Sequence, residues 1–357
     1  ISYGASSYDL SDKWLHPSFL RTVPTNQDII MVIIKLIQQF EWNWVAFISS
    51  DDSYSQNGLK LFRSNIKATS ICLAFSYEIT LNSNFTDVLK RIESLSINVI
   101  VVFTEEGTAR ALVKTAVKIN IRDKVWIAGD AWSMDAELST WPGIGQIGTI
   151  FGITAATQNL PEFDEFVYET RLRDENDACV NCEGIAKCSQ VCDDCMRENA
   201  ENIIDENPTY SFFIQAAVYT FAYALHHMLN CSMTRCNPAQ DIPPYVLLKE
   251  MKTLNFLLLG RTVKYDRNGD SPVFYDVVFW RLDAQHAVFE RIGTYNTYPQ
   301  LTFTINNSLI GWDRVASVPF ANCSAECPVG FIRQMDQNHA CCFQCKMCEI
   351  NTYVNYT

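Results

Sequence analysis

Two features of residues 25 to 155 predict an α/β fold with a parallel sheet covered on both faces. Apolar runs alternate with helix-like stretches, and the apolar runs are continuous rather than every-other-residue. A strand buried on both faces needs apolar side chains on both, whereas a strand with one wet face alternates. Helical stretches of about 10 to 15 residues between such strands are the crossovers that parallel pairing requires. A short cysteine-dense segment at the end of the chain adds a second, smaller module.

In order, the spacing predicts a helix over Gln27 to Phe40 and a strand over Trp44 to Ile48. A helix (Gln56 to Lys67), a strand (Ile71 to Phe75), a helix (Asn84 to Leu95) and a β-branched strand (Val99 to Phe103) follow. Thr108 to Lys118 is helical, Val125 to Ala128 and Thr149 to Thr154 are strands. Residues 175 to 208 are polar and acidic and carry Cys179, Cys182, Cys188, Cys192 and Cys195, which reads as a locally stapled surface loop. Beyond it come a long helix (Tyr210 to Leu229), a small loop closed by Cys231 and Cys236, and a helix over Tyr245 to Leu254. Arg261 to Arg281 reads as a hairpin turning at Arg267-Asn268-Gly269, with alternation in Val273 to Trp280.

At 357 residues and 48% hydrophobic content the chain can build more than one core. A net charge of −12 argues against nucleic acid and anionic membrane as partners, since either calls for a basic patch. No segment reaches the roughly 18 to 20 continuous apolar residues of a membrane helix; Ile29 to Ile37 is short and interrupted by Lys35. Fourteen cysteines point to an oxidising compartment. Glycosylation acceptors stand at Asn84, Asn230, Asn306, Asn322 and Asn355.

From Asn322 to Cys348 the chain reads NCSAECPVGFIRQMDQNHACCFQCKMC. So short a segment cannot bury enough apolar surface to fold unaided, so cross-links must hold it. Zinc is the alternative, because Cys345 and Cys348 form a CxxC. Adjacent Cys341 and Cys342, the absence of a histidine at ligand spacing and the sequon at Asn322 favour disulfides.

Catalytic sets are missing: the sequence contains no GxSxG, HExxH or P-loop, and its five histidines are scattered. Gly143, Gly145 and Gly148 match the dinucleotide fingerprint, but the fingerprint needs a strand before it and a helix after it. Here Trp141-Pro142 precedes and a strand follows, so the segment is a loop and no cofactor is expected. Cys179, Cys182, Cys192 and Cys195 imitate a zinc ribbon with too short a spacer, so no metal is expected either.

The block Ser49 to Gly58 lies just past the carboxyl end of a strand, and Asp130 stands in the same position after another. Ligands of open α/β sheets bind at such ends. An acid and an aromatic there, Asp130 and Tyr54, suit an ammonium group by ion pairing and cation–π contact. The plain alternative is a polar strand-to-helix loop with Asp52 or Ser53 as N-cap.

The pattern CSxxC followed by CCFxCxxC resembles the start of the cysteine-rich domain of class C G-protein-coupled receptors. The likeness continues through ISYGAS, FLRTVP, WNWVAFISSDDSY and VWIAGDAW. Among these receptors the type 1 taste subunits are most similar, with CSQVCDDC favouring them over the calcium-sensing type, and NPAQD and WPGIGQIGT leaning towards a shared third subunit. The resemblance implies a two-lobed, periplasmic-binding-protein-like Venus flytrap of type I over residues 1–321. One lobe would take 1–40 and 155–265, the other 41–154 and 266–321, with a truncated cysteine-rich domain at 322–357. The chain reads as a fragment of an ectodomain, lacking the first part of its first lobe and everything beyond the cysteine module.

The resemblance further implies that Asp130 and Tyr54 hold a ligand ammonium, that Ala5 and Ser6 hold a carboxylate, and that Thr25 and Asn26 form another ligand-facing turn. Gly4 and Gly129 depart from a serine common in relatives, and Gln240 stands where glutamate receptors carry a lysine, which argues against a dicarboxylate. The expected bridges are Cys72–Cys341, Cys323–Cys342, Cys327–Cys345 and Cys231–Cys236, with Cys348 left for a partner further on. The implied partners are a small amino acid or tastant, a second class C subunit in a homo- or heterodimer, and a G protein through a membrane domain. The ligand would act by closing the lobes, on the extracellular side of the cell membrane. A pheromone- or olfactory-type receptor, a calcium-sensing receptor and a soluble amino-acid transport protein are the other readings; an enzyme comes last.

Overall fold

The computed structural model describes residues 1–156, 158, 160, 162–168, 210–232, 235–237, 241–282, 287–310, 319–336 and 339–349. Its contacts divide the chain into two compact units, one of Ile1–Ala5, Ser18–Val23 and Ala156–Ser271, the other of Ser6–Pro17, Pro24–Ala155 and Pro272–Thr357.

The second unit opens with helix α1 (Asn26–Gln39), capped by the Thr25 hydroxyl, which accepts from the Asp28 N–H. Ile29, Ile30, Ile33, Leu36 and Ile37 are wholly buried on it, against helix α2 (Ser53–Asn65) and the sheet. The resemblance assigned residues 1 to about 40 to the other lobe. Here Ser6–Pro17 and α1 group with the sheet, because the apolar stripe of α1 and the Phe40 ring, stacked 5.7 Å from Phe151, pack there.

Strands β1 (Trp44–Ser50), β2 (Cys72–Ile79), β3 (Val99–Phe103), β4 (Lys124–Ala128) and β5 (Gly148–Ala155) alternate with α2, α3 (Phe85–Ser94), α4 (Glu106–Lys118) and the short α5 (Ala136–Ser139). All five strands pair in parallel, and every residue of β1, β3 and β4 is buried. That burial is the reason their sequences are continuous rather than alternating. At Gly148 the backbone enters β5 with φ of 121°, and a Cβ there would lie 2.0 Å from the Lys124 carbonyl oxygen, so only glycine fits.

The first unit contains helices α6 (Ser211–Met228) and α7 (Pro244–Thr253) and the hairpin β6 (Asn255–Leu258) to β7 (Arg261–Lys264). The expected hairpin over Arg261 to Arg281 is corrected here. The 267–269 turn forms, but β7 pairs backwards with β6 through Leu259-Gly260, both at positive φ. Such a two-residue loop matches the strand twist, whereas Pro272, lacking an N–H, ends any continuation from the later turn. The Arg21 guanidinium is fully buried in this unit, bonded to Asp270 at 2.7 Å and to the Ala5 carbonyl at 2.9 Å.

Strands β8 (Phe274–Leu282), β9 (Ala287–Asn296) and β10 (Thr302–Ile305) return to the large sheet, β8 antiparallel to β5, β9 to β8 and β10 to β9, in the order β10-β9-β8-β5-β4-β3-β1-β2. The cysteine module adds the hairpin β11 (Phe331–Met335) to β12 (Phe343–Met347). Cys72, the first residue of β2, bonds Cys341; Cys323 bonds Cys342, Cys327 bonds Cys345, and Cys231 bonds Cys236. Cys342 is buried against the sheet core, so the module is both cross-linked and packed. Cys348 is unpaired among the described residues. The cluster Cys179 to Cys195, Gln240 and Asn355 lie outside the described residues. Among the described residues no helix is long and apolar enough to cross a membrane.

Candidate functional site

Three adjacent parallel strands, β1, β3 and β4, deliver their carboxyl ends to one edge of the sheet. Just beyond β1, Asp52 caps α2 by accepting from the Ser55 N–H at 2.9 Å, which fixes the first turn and with it Tyr54. Beyond β3, Glu105 caps α4 through the Gly107 and Thr108 N–H groups. Beyond β4, the Gly129 N–H donates to the Val102 carbonyl and the Trp132 indole donates to it at 3.0 Å. The loop bearing Asp130 is thereby pinned to the central strand.

On this frame the Tyr54 hydroxyl donates to Asp130 Oδ1 at 2.7 Å. The Tyr54 ring stacks on Phe103, with centroids 4.6 Å apart and planes 21° apart. Phe103 is fully buried and lies between two glycines. A Cβ at Gly58 would fall 2.4 Å from the ring, and one at Gly129 would fall 3.0 Å from it. Gly129 therefore makes room for the aromatic platform under Tyr54.

Burial holds the Asp130 carboxyl above the ordinary aspartate range, against the opposing Tyr54 hydroxyl and Ala131 N–H. No lysine or arginine among the described residues pairs with it. Asp52 behaves oppositely. Burial raises it, but bonds from Ser50, Ser55 and the Ser55 N–H outweigh that and lower its pKa. Glu105 is likewise lowered, burial being outweighed by the Thr108 hydroxyl and the Gly107 and Thr108 N–H groups. Ser50 Oγ joins the two caps, donating to Asp52 at 2.5 Å and accepting from the Glu105 N–H at 3.0 Å. Two acids at this edge thus serve as caps, and the third, Asp130, accepts from the Tyr54 hydroxyl.

The remaining expected residues sit as follows. Asn26 is fully buried, with both ends of its amide engaged. Its Nδ2 donates to the Tyr54 carbonyl at 3.2 Å, its Oδ1 accepts from the Tyr8 N–H at 2.8 Å, and its N–H donates to the Ser6 carbonyl at 2.7 Å. Ser6 is half-buried, and its hydroxyl has no hydrogen bond among the described residues. The Thr25 hydroxyl is occupied in capping α1, donating to Asp28 Oδ2 at 2.6 Å. Ala5 belongs to the first unit, where its N–H donates to Ser2 Oγ at 2.9 Å. Sequence reasoning placed Ser50 in the strand-end block Ser49 to Gly58 without its link to Glu105, and missed Phe103. Their signal, a strand end, was present, but only the strand order sets β3 between β1 and β4. Among the sequons, Asn84 and Asn306 are exposed, Asn84 capping α3 and Asn306 a short 3-10 turn, whereas Asn322 is half-buried and accepts from the Asn43 N–H.

A family model described as the receptor family ligand binding region matches residues 1–283. The chain is 30% identical over 377 residues to taste receptor type 1 member 3 of Rattus norvegicus, covering 99% of this chain and 43% of that protein. It is 32% identical over 377 residues to taste receptor type 1 member 2 of Rattus norvegicus, covering 99% and 44%. To taste receptor type 1 member 1 of Mus musculus it is 30% identical over 366 residues, covering 99% and 43%. The chain spans less than half the length of these relatives, and the three member types match it almost equally.

Proposed function

Because this chain belongs to the receptor ligand-binding family, we propose that it is the extracellular ligand-binding region of a taste-type class C G-protein-coupled receptor, and that its ligand is a small α-amino acid. The single observation that carries the ligand class is Asp130, a half-buried carboxylate bonded to a tyrosine hydroxyl and, among the described residues, paired with no basic side chain. An anion partly withdrawn from water and without a cation is disfavoured, so a ligand ammonium is the partner that would stabilise it. Tyr54 adds an aromatic face, a further attraction for a cation. The Ser6 hydroxyl would donate a hydrogen bond to the ligand carboxylate.

In the mechanism we infer, ligand binding favours the closed form of a two-lobed receptor region, and closure in a dimer is transmitted through the cysteine module to a membrane domain and its G protein. The Cys72–Cys341 bridge supports the reading, since a covalent tie from β2 to the module would carry motion that a flexible linker would absorb. No catalytic role is proposed; the relatives bear receptor names. Isothermal calorimetry of the purified protein against the common L-amino acids and simple sugars tests the ligand class. Binding of at least one amino acid, lost when its ammonium is acetylated, is expected. Binding of sugars alone, or of N-acetylated and free amino acids alike, overturns it.

A further inference from the structure

We propose that Asn43 and Ser324 direct the adjacent cysteines Cys341 and Cys342 to separate partners during oxidative folding. Cys341 goes to Cys72 and Cys342 to Cys323, and the swapped isomer, Cys72–Cys342 with Cys323–Cys341, is excluded. Each bridge closes by thiol–disulfide exchange. One thiolate attacks an external disulfide such as oxidised glutathione, forming a mixed disulfide and releasing one glutathione thiol; the second thiolate then releases the other. Two protons and two electrons leave the cysteine pair. Nothing in that chemistry tells Cys341 from Cys342. Their Cα atoms are about 3.8 Å apart along the chain, and both side chains lie against the same sheet core. Chain entropy does not separate the isomers either. The native bridges have sequence separations of 269 and 19 residues. The swapped ones would differ by a single residue each, and loop-closure cost changes only logarithmically with length.

The choice therefore falls to the groups that place the four cysteines before the bonds close. Asn43, the residue before β1, touches both cysteines that await partners. Its carbonyl accepts from the Cys72 N–H at 2.8 Å, and its Oδ1 accepts from the Cys323 N–H at 3.0 Å. The spacing of Cys72 and Cys323 is thus set by two oxygens of one residue. The stretch ahead of Cys323 is held by other groups. Trp42 Nε1 donates to the Pro319 carbonyl at 3.0 Å, Asn98 Nδ2 to the Phe320 carbonyl at 2.8 Å, and the Trp44 N–H to the Ala321 carbonyl at 3.0 Å. The Asn43 N–H adds the Ala321 carbonyl and Asn322 Oδ1. All of these stop short of Cys323, so its own placement rests on the Asn43 side chain and on Ser324. The Ser324 hydroxyl donates to the Phe343 carbonyl at 2.7 Å and accepts from the Phe343 N–H at 2.9 Å. That double tie joins the residue after Cys323 to the residue after Cys342. It brings Cys323 level with Cys342 and leaves Cys341 for Cys72.

The experiment isolates one choice. In Cys72→Ala, Cys323 is free to take either neighbour. The reduced chain is refolded in reduced and oxidised glutathione, free thiols are blocked with iodoacetamide, and the bridges are then reduced and labelled with N-ethylmaleimide. Fragmentation of the peptide carrying Cys341 and Cys342 reads which sulfur was free. Unglycosylated protein is used throughout, since Ser324→Ala also removes the Asn322 acceptor site. Cys342 is expected to be chosen by about a hundredfold, roughly tenfold from each hydrogen-bonding side chain. Adding Asn43→Ala or Ser324→Ala should lower the ratio about tenfold, and both together should bring it near parity. Asn43→Asp keeps the acceptor and Ser324→Thr keeps the hydroxyl, so each should hold the ratio. Oxidation in concentrated urea should give parity. Mapping is confined to material that resists proteolysis like the parent, so that loss of folding does not pass for loss of choice. If Asn43→Ala yields none, Ser324→Ala against Ser324→Thr decides by itself. A merely structural role would lower the yield of folded protein and leave the ratio unchanged. An unchanged ratio in one alanine variant overturns the role of that residue; an unchanged ratio in both, or the same preference in urea, overturns the inference.

Discussion

Replacing Asp130 by asparagine separates binding from stability more sharply than any truncation. The substitution keeps size and an acceptor for the Tyr54 hydroxyl, now 2.7 Å from Oδ1, and removes only the charge. A hydrogen bond between an ammonium and a carboxylate is worth about 1.5 to 3 kcal/mol. At about 1.4 kcal/mol per decade, affinity for an amino acid should fall by roughly ten- to a hundredfold. Stability should move the other way. Burial raises the folded-state pKa of Asp130 above its unfolded value. Its contribution is then fully present below the unfolded pKa of about 3.9 and is lost as pH rises through the folded value, so at neutral pH the ionised side chain opposes folding. Without ligand, Asp130→Asn should melt above the wild type at pH 7, and the difference should close on acidification towards pH 4. Calorimetric titration and thermal unfolding of the same two proteins at both pH values make the measurement. A variant that binds as tightly as wild type, or that melts lower at pH 7, refutes the reasoning, for Asp130 would then be a structural carboxylate with a favourable environment.

Three further outcomes follow from the same geometry. Tyr54→Phe keeps the stacking on Phe103 but strips Asp130 of its hydroxyl donor, so the Asp130 pKa should rise further; in a pH series, amino-acid binding should fail on acidification at a higher pH than in wild type, and an unshifted profile would count against the pair. Gly129→Ser sets a Cβ 3.0 Å from the Phe103 ring, so despite the added hydroxyl it should weaken binding and lower stability by about 1 to 3 kcal/mol in urea unfolding, a tighter-binding variant being the contrary result. Joint replacement of Cys72 and Cys341 by serine removes a bridge across 269 residues and should lower unfolding free energy by about 2 to 5 kcal/mol, read from the denaturant midpoint, where an unchanged midpoint would mean that packing alone holds the module.

What the sequence determined by itself was local and periodic. Val99 to Phe103 and Trp44 to Ile48 had to be strands buried on both faces, because runs without a polar face cannot sit at a surface, and the intervening amphipathic stretches had to be crossovers. The cysteine-dense tail had to be cross-linked, because it is too short to bury a core. Asp130 and Tyr54 were legible as strand-end residues for the same reason. The tertiary structure decided what depends on partners distant in sequence. Whether Arg261 paired forwards or backwards turned on a choice between two turns, both locally acceptable, which only the alternative partners β6 and β8 resolve. The Phe103 platform, the glycine that admits it, and the Asn26 amide that ties Ser6 to Tyr54 exist only once β3 lies between β1 and β4 and residues 6–8 meet the start of α2. Periodicity reports which face of an element is buried; it carries no information about which element buries it, because apolar burial is non-directional and the hydrogen bonds that choose between partners form only after the chain has closed on itself.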